Sequence, residues 1–137
     1  MRRSLFAVVV LAAPAFAQKD ALPKAVDARA DKAWAIARDI WAWAEPGYQE
    51  TKSSAALAAY LEAGGFTVTK GVAHIPTAFT ATFGTGKPVI AVLGEYDALP
   101  EIAQDAVPFR QPPKDGNGYG HACGHHVFGV ASATACL

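Results

Sequence analysis

Sulfur is scarce in this sequence, with two cysteines and one methionine in 137 residues. Two cysteines cannot build a disulfide-stapled mini-protein, and a chain of this length buries a working core without staples. Charge of one sign is missing too: twelve Lys plus Arg face twelve Asp plus Glu, for a formal net charge of zero. The basic field that grips a phosphate backbone is therefore absent, which argues against a nucleic-acid partner. No apolar run reaches the ~20 residues that a helix needs to cross ~30 Å of hydrocarbon. Internal repeats are lacking, as are low-complexity tracts beyond a general abundance of alanine. What is present is 52% hydrophobic and 18% charged, the composition of a folded globular chain.

The first seventeen residues read as an address. Met1-Arg2-Arg3-Ser4 is basic, Leu5 to Ala13 is a short apolar run, and Ala15-Phe16-Ala17 ends it with an Ala-x-Ala pattern. These are the three parts of a secretory signal peptide, which predicts cleavage after Ala17, a mature chain from residue 18 to 137, and a periplasmic or secreted location. No stable membrane insertion is expected after cleavage. Removing Arg2 and Arg3 leaves ten basic against twelve acidic residues, a faintly acidic exported form.

Helical periodicity follows. Trp34, Ile36, Ala37, Ile40, Trp41 and Ala44 return to one face of a helix over 27–44, with the tryptophans expected in the core, and Glu45-Pro46-Gly47 stops it. A second helix is predicted over 50–63, with Ala56, Leu57, Tyr60 and Leu61 as its apolar stripe and Gly64-Gly65 as its end. Phe66 to Thr69 and Thr77 to Phe83 alternate like strands. Val89 to Leu93 is a continuous apolar run after a turn, the pattern of a strand buried on both faces of an α/β sheet. Its carboxyl end is Gly94-Glu95-Tyr96-Asp97, where α/β sheets gather their ligands. Residues 108–120 have the Pro, Gly and Asn content of an exposed loop, and Val127 to Leu137 suits a packed helix.

The chemistry concentrates in His121-Ala122-Cys123-Gly124-His125-His126. Imidazole and thiolate are ligands for borderline metals such as zinc, and Gly124 allows the backbone bend that could turn Cys123 and His125 toward one ion. A polar loop around an ordinary buried cysteine fits the same residues. Asp97 could accept a hydrogen bond from a ligand histidine and fix its tautomer. Glu95, two residues earlier, points to the same side if the strand persists. Solvated strand-end charges remain the alternative for both carboxylates.

Gly94-Glu95-Tyr96-Asp97-Ala98-Leu99-Pro100, followed some twenty residues later by Gly120-His121-Ala122-Cys123-Gly124-His125, resembles the peptidase M20 family of metal-dependent amidohydrolases, and within it the aminobenzoyl-glutamate utilization branch. The stretch from Ile40-Trp41 through Glu45-Pro46-Gly47 to Ser53 is similar to that family's first helix and turn. The resemblance implies an α/β fold in which this chain is the N-terminal part of a zinc-peptidase-like catalytic domain, helices packed on a mixed sheet. It also implies that the small dimerisation domain of the family is not expected within these residues. It implies Cys123 and His125 as metal ligands, Asp97 as the orienting group behind them, and two divalent ions (zinc, manganese or cobalt) per full-length chain. The implied reaction is hydrolysis of an amide in an N-acyl or aminobenzoyl amino-acid substrate. The general-base glutamate of similar enzymes belongs to a Glu-Glu pair beyond the motifs present here, so the chain alone is expected to be inactive, and a homodimer is implied for the full-length form. Where aminoacylase-like members carry Asp after Cys-Gly-His and His two positions later, this sequence has His126 and Phe128. That departure favours the aminobenzoyl-glutamate branch; the roles of His121 and His126 stay open.

Two rival readings are a non-catalytic metal- or ligand-binding remnant and a small secreted interaction domain linked by Cys123 and Cys136. A helix after His126 sets the cysteines about 15 Å apart along its axis, whereas a disulfide needs Cα atoms within about 7 Å. The helix is preferred, with Cys136 as a small apolar filler.

Overall fold

The computed structural model describes residues 21–137; the predicted signal peptide and its cleavage point lie outside the described residues. Among those described, no helix is long and apolar enough to cross a membrane. The described residues form four α-helices: α1 (Ala21–Asp27), α2 (Ala30–Trp43), α3 (Thr51–Ala63) and α4 (His125–Cys136). Two small antiparallel ladders accompany them. The first joins β1 (Thr67–Lys70) to β2 (Phe79–Thr82) with Val68 opposite Ala81, and the second joins β3 (Leu99–Pro100) to β4 (Tyr119–Gly120). The α/β class is as expected, in the form of helices packed on small sheets.

The core forms where the apolar stripes of three helices meet. Ile36, Ala37 and Ile40 of α2 face Leu57, Tyr60 and Leu61 of α3 and Val130 and Ala133 of α4. Ile40 and Leu57 are sealed from solvent, each contributing about 1.5–3 kcal/mol of burial. The helix α2 stops at Trp43 because Ala44 turns into the left-handed region at φ 42°, one residue before Glu45-Pro46-Gly47. Glu45 then does a second task. Its carboxylate accepts hydrogen bonds from the Lys52 and Ser53 amides and from the Ser53 hydroxyl, at 2.8–3.1 Å. A carboxylate on the free amides of a helix start satisfies donors that the helix cannot, and suits the positive end of its dipole.

Three expectations are corrected. Val89 to Leu93 is not a buried strand: it pairs with nothing among the described residues, and Val89 and Ile90 are more than four-fifths exposed. A strand exists only through its neighbours, and no described segment offers this run a ladder. The only parallel contact among the described residues, a bridge from Pro46 to Ala98, comes just after it. Trp34 stands on the solvent side of α2 at 59% exposure, while Trp43 reaches the core, so the tryptophans do not act as one buried stripe. Cys136 is exposed at the end of α4 and is no filler; both cysteines are free and the helix that separates them is formed, which removes the disulfide-linked reading.

Candidate metal centre

Three chain segments converge at the start of α4. The first is the stretch 93–98. It lies across α4 at Gly129, whose missing side chain makes the approach possible: a Cβ there would stand 2.6 Å from the Glu95 carbonyl oxygen. Ser132, one turn further, donates its hydroxyl to the Leu93 carbonyl at 2.6 Å. Tyr96 donates to the Thr77 carbonyl at 2.6 Å, and burial raises its phenol above the ordinary tyrosine range. The Ala98 amide donates to the Glu45 carbonyl at 2.8 Å. Held at four points, this stretch presents Glu95 and Asp97 on one side.

The second segment is the turn 45–50, held by Glu45 and by Glu50. The Glu50 carboxylate is buried and accepts the Thr77 hydroxyl at 2.5 Å. The third is the loop 117–124. Asn117 donates its amide to the carbonyls of Trp43 and Ala44, and His121 Nε2–H donates to that of Ile40 at 3.1 Å. The loop thus docks on the carbonyl-rich end of α2, where donors are favoured. Gly124 then takes φ 74°, a left-handed conformation that glycine adopts without strain, and releases the chain into α4 at His125.

The result is an imidazole between two carboxylates. His125 Nδ1 lies 2.8 Å from Asp97 Oδ1 and His125 Nε2 lies 2.9 Å from Glu95 Oε2. Of these groups His125 is the most enclosed. Ligand atoms of Glu95, Asp97 and His125 all fall within 4.8 Å of one another, the one such metal-capable group found among the described residues. A neutral imidazole carries one N–H. With that proton on Nδ1 for Asp97, the lone pair of Nε2 faces a carboxylate oxygen at hydrogen-bond distance, and two electron-rich atoms so placed require a positive centre, a proton or a metal ion. The donor set of imidazole and carboxylate suits a divalent ion.

Of the residues singled out by sequence, Asp97 and His125 are brought together and Cys123 is not. Cys123 is exposed, and its thiol is not among the atoms gathered around His125. Glu95, expected from the sequence only as a carboxylate facing the same side, is in direct contact with the ring. The rings of His121 and His126 lie 5.1 Å apart between centroids with their planes tilted by 51°, each with a buried Nδ1 that has no protein partner. Burial lowers both below the ordinary histidine range, and their mutual proximity adds to the effect on His126. The roles of Gly129, Ser132 and Asn117 had no sequence signal beyond spacing: His125, Gly129 and Ser132 recur at one helical face.

No family model matches the chain. Over 113 residues it is 43% identical to a subunit of the p-aminobenzoyl-glutamate hydrolase of Escherichia coli (strain K12), an alignment that takes in 82% of this chain and 24% of that relative. The chain therefore spans about a quarter of the length of the relative it matches. The motifs 94–100 and 120–125, the helix and turn that precede them and this identity over most of the chain point the same way: the chain is similar to the M20-type amidohydrolases that its motifs resemble.

Proposed function

We propose that this chain supplies part of the divalent-metal site of an amidohydrolase that cleaves an amide in an N-acyl or aminobenzoyl amino-acid substrate. The observation that carries the reading is His125 held between Asp97 and Glu95. Asp97 fixes the ring by accepting from Nδ1–H, which leaves Nε2 as the donor atom and raises its basicity. Glu95 offers the adjacent carboxylate, and Cys123, two residues before His125, is the further ligand that the family resemblance implies. When bound, a divalent ion lowers the pKa of a water toward ~7 and polarises a carbonyl, the chemistry amide hydrolysis requires. Zinc, manganese and cobalt all accept this mixture of imidazole, carboxylate and thiolate.

The substrate class rests on the relative, whose name makes it a p-aminobenzoyl-glutamate hydrolase. That name also marks it as one subunit, which supports association with a further chain; the family resemblance makes a homodimer the proposed form. Export to the periplasm or beyond is proposed from the Arg2-Arg3 start and the Ala15-Phe16-Ala17 pattern. The general-base glutamate is assigned to sequence beyond the motifs present, so the 137-residue chain alone is proposed to bind the ion without turnover. The test is hydrolysis of p-aminobenzoyl-glutamate by a form that carries the remaining family segments, with and without chelator. Chelator-sensitive activity that His125→Ala abolishes is expected; hydrolysis that survives both treatments would sink the proposal.

A further inference from the structure

We propose that Ser132 and Gly129 are positioning residues for the metal centre, setting the distance of Glu95 and Asp97 from His125 by fixing the stretch 93–97 on the helix that carries the histidine. The inference rests on the metal-centre reading above and assigns two residues to it that touch no ligand atom.

The two halves of the centre come from different parts of the chain. His125 is the first residue of α4, and the carboxylates sit on an extended stretch with no ladder partner before Ala98. An unladdered stretch has no intrinsic register, so something must stop it from sliding or lifting. Two contacts on the His125 face of α4 do so. The Ser132 hydroxyl binds the Leu93 carbonyl, just before the carboxylates. At Gly129 the backbone of Glu95 approaches so closely that a methyl group would collide with its carbonyl oxygen, and the space is shared with Leu57 and Tyr96 at 3.2 and 3.4 Å. Gly94 completes the fit, since a Cβ there would stand 3.3 Å from the Ser132 side chain and 3.4 Å from Gly129 Cα. His125, Gly129 and Ser132 lie at i, i+4 and i+7, so one helical face carries both the ligand and the rest on which its partners lie. A shift of the stretch by a fraction of an ångström would change both distances to the imidazole together.

The experiment compares Ser132→Ala with Thr134→Ala, which removes a hydroxyl from the same helix but one bonded to Val130 and beside Tyr60, away from the 93–97 stretch. Zinc affinity, ring ¹⁵N shifts of His125 and thermal unfolding are measured on the 137-residue chain. Ser132→Ala is expected to weaken zinc binding about tenfold, the lower end for partners that orient metal ligands, and to move the His125 signals. Thr134→Ala is expected to move neither. Gly129→Ala should weaken binding at least as much where it folds. A Ser132→Ala protein that folds with unchanged affinity and unchanged His125 signals overturns the proposal, as does an equal loss in Thr134→Ala. If the parent chain binds no zinc, the metal reading falls by itself, and the His125 signals alone decide the positioning: a shift in Ser132→Ala supports it and none refutes it.

Discussion

Two neighbouring stretches of the chain meet opposite fates. Val89 to Leu93 is more apolar than Gly94 to Ala98, yet its side chains stand in solvent and only its last carbonyl, that of Leu93, is held, by Ser132; the second stretch is half-buried and held by Gly129, Thr77 and Glu45. Hydrophobicity is non-directional and cannot by itself place an extended segment. Placement comes from backbone partners and from a surface with room for the backbone, and only the second stretch finds both among the described residues. The same contrast separates Cys123 from His125: one glycine apart, the first faces solvent and the second enters a network because a helix begins at it.

Breaking the second stretch's support should have the largest effect. Gly129→Ala drives a methyl into the Glu95 carbonyl oxygen and Leu57, and overpacking against a backbone that cannot rotate away places the loss near the top of the usual range of about 1–3 kcal/mol. Urea unfolding would show it as a lowered midpoint; an unchanged midpoint would mean that the 94–98 stretch does not rest on α4. Removing the cap from the opposite side should do less. Glu45→Ala leaves the Lys52 and Ser53 amides without their acceptor, at a cost of about 1 kcal/mol for a lost helix cap. Because the Ala98 bond uses the Glu45 backbone, that contact survives the substitution. Smallest of all should be Ile90→Ser, within about 0.5 kcal/mol of the parent chain as for an exposed site. A loss several times larger would show that Val89 to Leu93 is covered in solution and would erase the contrast. The thiols sharpen the second comparison: both cysteines of the folded chain should react with a thiol reagent without denaturant, and zinc should protect Cys123 if it joins His125 as a ligand. Protection of neither thiol by zinc would leave Cys123 outside the centre.

What the sequence disclosed was periodicity and chemistry. The helices around Ile36, Ile40, Leu57 and Leu61 could be read because their apolar spacing is itself the instruction to pack. Asp97 and His125 could be named because few residue types suit a metal and because two motifs in order resemble one family. The long-range contacts were out of reach. Val89 to Leu93 has the composition of a central strand, and composition carries no information on whether a neighbour is present. Trp34 shares a face with core residues by count, but the apolar arc of α2 is narrower than the run of alanines suggests. Glu45 looked like part of a helix stop, and its service as a cap on α3 depends on a turn whose shape a linear pattern does not fix. Ser132 is one small residue among several in α4, and only the folded backbone shows which carbonyl it meets.

The metal-site proposal rests on the imidazole of His125, flanked by Asp97 and Glu95. Calorimetric titration of zinc into the 137-residue chain, its His125→Ala variant and its Asp97→Asn variant tests it most directly. Saturable binding to the parent chain is expected, with loss of that binding in His125→Ala and a weakening of about 10–100-fold in Asp97→Asn, where the ring loses its orienting carboxylate. Equal affinity in all three proteins, or no binding to the parent chain, would contradict that proposal.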